Sequence, residues 1–308
     1  MRLLLLAGFA TLLLFPLFGE RFYLQLLAHI MLMAVFAMSL DLLVGFAGLV
    51  SLGHTAFFGV GGYALMLLTS SAGPANLWLT LPVALAAAAV AAVIIGLLVL
   101  RSSGVYFIMV TLAFTQMLYY FAIGQKWLGG SDGAYINFKP RAALFGFVPF
   151  DLQKPLHFYW VALALMAGTY LLLFVILRSL FGRVVCAIRS NEGRLASLGI
   201  PTFRYKLVCF VIAGALAGLA GYFASAQYGV VNPDFFGWRL AGEVLMIVIL
   251  GGMGTLHGPI LGAFALVLLE DSLSVASKHW LLPMGLFIIA AVLLLPKGIA
   301  GLLERARA

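Results

Sequence analysis

Charge is scarce in this chain. Only 9% of its 308 residues are Asp, Glu, Lys or Arg, against about 25% in soluble domains. So little charge leaves no room for a large water-facing surface. Cysteine is nearly absent too. Cys186 and Cys209 form no C-x-x-C pair and no metal-ligand spacing, which argues against a zinc site or a disulfide framework. No G-x-x-x-x-G-K-[ST] run occurs, so the chain has no P-loop to cradle ATP phosphates. "GVGGYA" at 59–64 fits G-x-G-x-x-A in letters. It lies in an apolar stretch, with no preceding strand and no acidic residue about twenty positions on, which argues against a dinucleotide fold. Catalytic signatures are also missing: there is no H-E-x-x-H and no G-x-S-x-G. The five histidines, His29, His54, His157, His257 and His279, are scattered.

What is present is apolar. The composition is 64% hydrophobic, with a mean hydropathy of +1.14. Repeated apolar runs near twenty residues indicate membrane-spanning helices. About ten segments are expected, at 3–18, 22–44, 49–70, 77–100, 105–124, 157–178, 206–229, 241–253, 257–277 and 281–296. The fold class is therefore an all-α integral membrane protein, a single bundle over 1–308. An uncleaved first helix is expected, because no small-x-small site precedes Gly19. Net charge is +8. The basic residues lie between apolar runs, so they are read as topology signals and not as a nucleic-acid surface. With ten spans and a cytoplasmic N-terminus, eleven of the 18 Lys and Arg fall inside. That bias places both termini in the cytoplasm, a long loop at about 125–156 outside, and a second at about 179–205 inside.

Two glycine-rich breaks interrupt the apolar pattern. "GFAGLVSLGHTAFFGVGG" begins at Gly45 and "GGMGTLHGPILGA" at Gly251. Each is followed by a histidine and a renewed apolar helix. Both follow spans of the same direction, so no inverted symmetry is expected between them. Asp41, Gly45, Gly48, Gly53, His54, Gly251, Gly252, Gly254 and His257 are therefore candidates for a translocation path or a plain helix break. His54 and His257 are expected to bond freed backbone carbonyls. Intramembrane acids, Asp41, Glu243, Glu270 and Asp271, are costly and often functional. A structural role competes with ion coupling for each. "GALAGLAG" puts Gly214, Gly218 and Gly221 on one helical face, which lets membrane helices approach closely.

One polar island remains, "IRSNEGRLASLGIPTFRYK" from Ile188 to Lys206. Asn191 is suited to cap a helix, and Glu192 in the first turn suits the helix dipole. Leu195 and Leu198 share a face. Gly199 can end the helix in left-handed geometry, and Pro201 prevents its continuation. The spacing predicts a helix of about two turns, lying on anionic lipid or docked on a cytoplasmic partner.

Four stretches carry a family resemblance: "LDLLVGFAGLVSLGHTAFFGVGGYA" (40–64), "GGSDG" (129–133), "AIRSNEGRLASLGIPTFRYKLVCFVIAGALAGLAG" (187–221) and "EVLMIVILGGMGTLHGPILGA" (243–263). They resemble the permease subunits of branched-chain amino-acid ABC transporters, the LivM type. The resemblance implies a type II importer bundle with a cytoplasmic coupling segment that meets an ATPase. Arg189, Asn191, Glu192, Arg194, Leu195, Leu198 and Gly199 fall in that segment. It also implies a second homologous permease, two ATPase subunits that use ATP and Mg, and a periplasmic solute-binding protein, all at the bacterial inner membrane. This chain itself is expected to bind no cofactor, metal or nucleic acid and to catalyse nothing. Asp41 stands where many relatives carry Asn. The N-terminus is short beside longer relatives, so an extra helix of theirs is expected to be missing. Relatives also move urea, short amides or aromatic acids, so the substrate stays open. An ion-coupled secondary transporter or channel, working through Asp41 or Glu270, and an intramembrane enzyme remain as readings from other classes.

Overall fold

The computed structural model describes residues 8–9, 11–17, 20–69, 73–143, 150–276, 278–295 and 298–305. Among the described residues, the fold is carried by the helices α1 (Arg21–Asp41), α2 (Thr55–Leu68), α3 (Leu77–Val99), α4 (Val105–Gly124), α5 (Pro155–Arg178), α6 (Leu180–Ser197), α7 (Thr202–Tyr228), α8 (Trp238–Gly251), α9 (Gly258–Ala276), α10 (Leu281–Leu294) and α11 (Gly298–Arg305). A two-residue antiparallel pair joins β1 (Ala134–Tyr135) to β2 (Val230–Val231). Of the first expected segment, residues 3–7, 10 and 18 lie outside the described residues. So do Arg2, Lys297 and Arg307 among the topology signals, and residues 144–149 of the long outer loop.

Among the described residues, seven helical stretches are long and apolar enough to cross a membrane. Of the ten expected segments, two are shorter helices and the first lies partly outside the described residues, so the count of ten is not confirmed. The expected 49–70 segment is a helix only over Thr55–Leu68, and the 241–253 segment is α8; each has 14 residues. At 1.5 Å per residue that is roughly 21 Å, short of a hydrocarbon core of about 30 Å. The missing length at α2 is taken by the irregular run 48–54, and at α8 by the break that begins at Gly252. Non-helical backbone at membrane depth is tolerated where protein covers it, and Ser51 and His54 in the first run are indeed buried.

Helix α1 is apolar on every side, which suits a helix surrounded by others. From Ile30 to Asp41 every residue is buried. Helix α7 runs antiparallel to it: Gln227 Nε2 donates to the Gln25 carbonyl at 2.7 Å near one end, and Cys209 Sγ lies 3.9 Å from the Leu42 carbonyl near the other. The glycine face of α7 accounts for the rest of the centre. A Cβ on Gly218 would strike Ala88 of α3, one on Gly221 would strike the Phe58 carbonyl of α2, and one on Gly61 would strike the Gly218 carbonyl. The small-residue stripe therefore serves two neighbours, α2 and α3, where one was expected. Thr80 Oγ1 and Tyr222 Oη, 2.7 Å apart, tie α3 to α7 at their far end.

The "GGSDG" loop lies at the end opposite α6. Gly129, Gly130 and Gly133 all take positive φ. A Cβ on Gly133 would strike the Val231 carbonyl, so the loop seats β1 directly against β2.

Overpacking this centre costs about 1–3 kcal/mol or more. Gly221→Val is expected to lower the melting temperature in detergent. Gly168→Val is the control, since a Cβ there meets nothing within 4 Å, and it is expected to leave melting unchanged. Equal melting of the two variants would contradict the packing described.

Candidate functional site

Sequence-separated candidates converge at one end of the bundle. Helix α1 runs into a wide π-turn, Leu42–Ala47, and Gly48 then takes a left-handed φ of 73°. The second break places Gly252 and Gly254 at φ 117° and 76°. Thr255 Oγ1 caps it by donating to the Gly252 carbonyl at 2.7 Å. The two breaks touch. The Gly254 amide donates to Asp41 Oδ1 at 2.9 Å. A Cβ on Gly45 would strike that carboxylate oxygen and the Gly254 amide. Asp41 is 1% exposed, and its Oδ2 is buried with no hydrogen-bond partner. The acid thus serves the other break's backbone, a structural role of the kind weighed for it from the sequence.

Arg189 of α6 reaches into the same place. Its Nη1 donates to the Gly45 carbonyl. A Cβ on Gly48 would come 2.9 Å from its Cγ, and a Cβ on Gly254 would come 3.2 Å from its Nη1. The two glycines leave a channel the width of an arginine side chain. Arg189 also acts electrostatically on Asp41. Asp41, Gly45, Gly48, Gly254 and Arg189 therefore form one polar knot, whereas the sequence offered them as two separate groups.

The other candidates sit around it. His54 does not take a backbone carbonyl. Its Nε2 lies 2.8 Å from Ser39 Oγ, and the Ser39 hydroxyl donates to the Phe36 carbonyl at 2.6 Å. A hydroxyl has one proton, so the His54 ring donates to Ser39 through Nε2–H. The ring also stacks on Phe36 at 5.6 Å between centroids. Gly53 packs on Thr111, where a Cβ would come 2.7 Å from Thr111 Cβ. A Cβ on Gly251 would strike the Gly258 carbonyl across the second turn. His257 is buried beside the start of α9, and its carbonyl accepts the Leu261 amide at 3.3 Å.

Helix α6 is two pieces. Asn191 has φ −162° and ψ 92°, so the helical path breaks there. Its Oδ1 accepts the Arg194 amide at 3.0 Å, the N-cap contact that its residue type suggests. The piece before it packs on the bundle through Gly182, Val185 and Ile188. Burial raises the Cys186 thiol pKa there, with Arg189 pulling it the other way. The piece after Asn191 is a helix of close to two turns, as expected, and stands away from the bundle. Glu192, Gly193 and Arg194 are exposed, Leu195 is half-buried, and Leu198 is 72% exposed. Gly199 ends it at φ 79°, and the Ile200 amide returns to the Leu195 carbonyl at 3.1 Å. Glu192 also pairs with Lys206 at 2.5 Å, which pins the exposed turn to the start of α7.

The opposite end holds a cavity of about 650 Å³ between α1, α7, α8 and α9. Glu243, Glu270 and Asp271, judged singly from the sequence, line it together with Asp234, Arg239, His29 and Tyr228. Leu32, Met33, Phe58 and Val267 supply apolar wall. Tyr228 Oη lies 2.9 Å from His29 Nδ1. Arg239 acts electrostatically on both Glu243 and Glu270. No periodicity announces this grouping, since it joins residues from five helices and the turn before α8.

A family described as the permease component of the branched-chain amino acid transport system matches residues 22–295. The high-affinity branched-chain amino acid transport system permease protein LivM of Escherichia coli K12 is 30% identical over 290 residues, 87% of this chain and 68% of that protein. The permease protein LivH of the same strain is 30% identical over 147 residues, 46% of each chain. The autoinducer 2 import system permease protein LsrC of Klebsiella pneumoniae is 32% identical over 157 residues, 49% of this chain and 42% of that one. No solved structure matches.

The Ser39–His54 bond is testable by a double-mutant cycle. Ser39→Ala leaves a buried ring N–H without its partner and is expected to cost about 1–3 kcal/mol. Adding His54→Phe, which keeps the stack on Phe36, is expected to recover part of that loss in detergent melting. Strict additivity of the two changes would show that the bond contributes nothing.

Proposed function

This chain belongs to the branched-chain amino acid transport permease family, and from that premise we propose that it is one membrane-spanning subunit of an ATP-driven importer for branched-chain or similar hydrophobic amino acids. The observation that carries the energy-coupling part is the exposed turn Glu192–Leu198. It is capped by Asn191, stopped at Gly199 and held by Lys206, yet it leaves Leu198 uncovered. An ordered, apolar-tipped turn in a chain without a P-loop suits docking on a separate ATPase. Two such ATPases, using ATP and Mg, would supply the energy, and this chain would catalyse nothing itself.

Similarity to both LivM and LivH supports a second, related permease as partner. The α6 end is assigned to the cytoplasm with both termini, in the bacterial inner membrane. The cavity end then faces a periplasmic solute-binding protein across the "GGSDG" rim. The cavity lining suits a zwitterion with an aliphatic side chain: Arg239 for a carboxylate, the four acids for an ammonium, and the apolar wall for the side chain. The glycine breaks at the far end are the moving parts of the path. Alternating access of this kind requires contacts that differ between two states.

Leucine uptake into proteoliposomes carrying the full complex tests this reading. Uptake is expected to require ATP and to vanish without the ATPase subunits. Glu192→Lys or Gly199→Val is expected to lower uptake while the complex still assembles. Leucine uptake that survives removal of the ATPases would sink the proposal in favour of an ion-coupled carrier.

A further inference from the structure

We infer that Arg189 is a positioning residue that ties movement of the coupling helix α6 to both glycine breaks at once. The inference rests on the ATP-driven reading above and concerns how the docking turn communicates with the bundle. Arg189 lies two residues before the kink at Asn191, on the part of α6 that packs against the bundle. Its guanidinium donates to Gly45 in the first break and lies beside Gly254 in the second. Among the described residues, the other side-chain hydrogen bonds of α6 stay within α6 and its Ser179 cap or reach Lys206. Arg189 is thus the polar side chain by which α6 holds the two breaks.

The seat is exacting. With Arg189 in place, its guanidinium supplies the donor for the buried Gly45 carbonyl and acts electrostatically on Asp41. Withdrawal of Arg189 by a tilt of α6 leaves that carbonyl without its donor, which is costly. Movement of the breaks relieves the loss. The glycines permit this, because Gly48 and Gly254 hold φ values of 73° and 76° that other residues rarely adopt, and neither carries a Cβ that would trap the arginine. Lysine cannot replace it fully, since a compact, strongly hydrated ammonium does not reproduce a planar guanidinium seated beside both glycines.

Two measurements on the assembled complex in proteoliposomes decide the matter. The first is the ratio of ATP hydrolysed to leucine taken up. Arg189→Ala is expected to raise that ratio about tenfold, with hydrolysis persisting, and Arg189→Lys to fall between. A merely structural role would lower both activities in proportion and leave the ratio unchanged, which overturns the inference. The second uses Thr255→Cys in a chain with Cys186 and Cys209 replaced, and follows its labelling by a thiol reagent with and without ATP and vanadate. ATP is expected to change the labelling rate in the Arg189 chain and not in Arg189→Ala. An equal ATP effect in both chains overturns the inference. Because labelling needs no substrate, a complex that shows the Arg189-dependent change but imports no leucine overturns the substrate reading alone. If Arg189→Ala does not assemble, Arg189→Lys carries both comparisons.

Discussion

The hydrogen bond from the Gly254 amide to the Asp41 carboxylate joins the two helix breaks of this protein. Hydrocarbon offers no water to freed peptide groups, so each break must find its partners within the protein. This chain solves the problem by making the breaks serve each other. Asp41 at the end of α1 satisfies a donor that belongs to the turn before α9. Arg189 then satisfies the Gly45 carbonyl from outside the pair. The shortness of α2 and α8 follows, because the residues that would have lengthened them are used to shape this contact.

The sequence displayed the local half of this arrangement. Asn191 and Gly199 were legible as cap and stop, because capping depends on residues three to five positions apart. The glycine face of α7 was legible because small residues at helical spacing mark close approach. The tertiary half was not legible. Arg189 and Gly45 are 144 residues apart and Asp41 and Gly254 are 213 apart, and nothing in residue type pairs them. His54 shows the same limit. A buried imidazole near a break must have a partner, but Ser39, one helix away, was not identifiable as that partner. The length of α2 was overread because apolar residues continue through the first break, and hydropathy alone does not register a backbone that has left the helix, whereas α8, with 14 residues, is as short as the expected 241–253 segment.

The two ends of the bundle treat charge in opposite ways. At the α6 end, one acid and one base are closely fitted, and glycine removes all spare space around them. At the other end, four acids and one base surround an open cavity. The first arrangement holds a conformation, since displacing either side chain leaves a buried backbone group of a break without its partner. The second accepts change, since water or a solute can fill the space. Between them, α2 and α7 meet backbone to backbone at Gly61 and Gly221, and α7 seats the Ala88 methyl of α3 at Gly218, which makes that part of the bundle a close-packed frame for both ends.

The extended backbone at Asn191 divides α6 into a piece that faces the bundle and a piece that faces away. The residues that would choose a partner, Glu192 to Leu198, are therefore separate from Arg189, which holds the breaks. Recognition and transmission occupy different stretches of one short segment. Changes in the outward turn therefore leave in place every contact that Arg189 makes with the breaks.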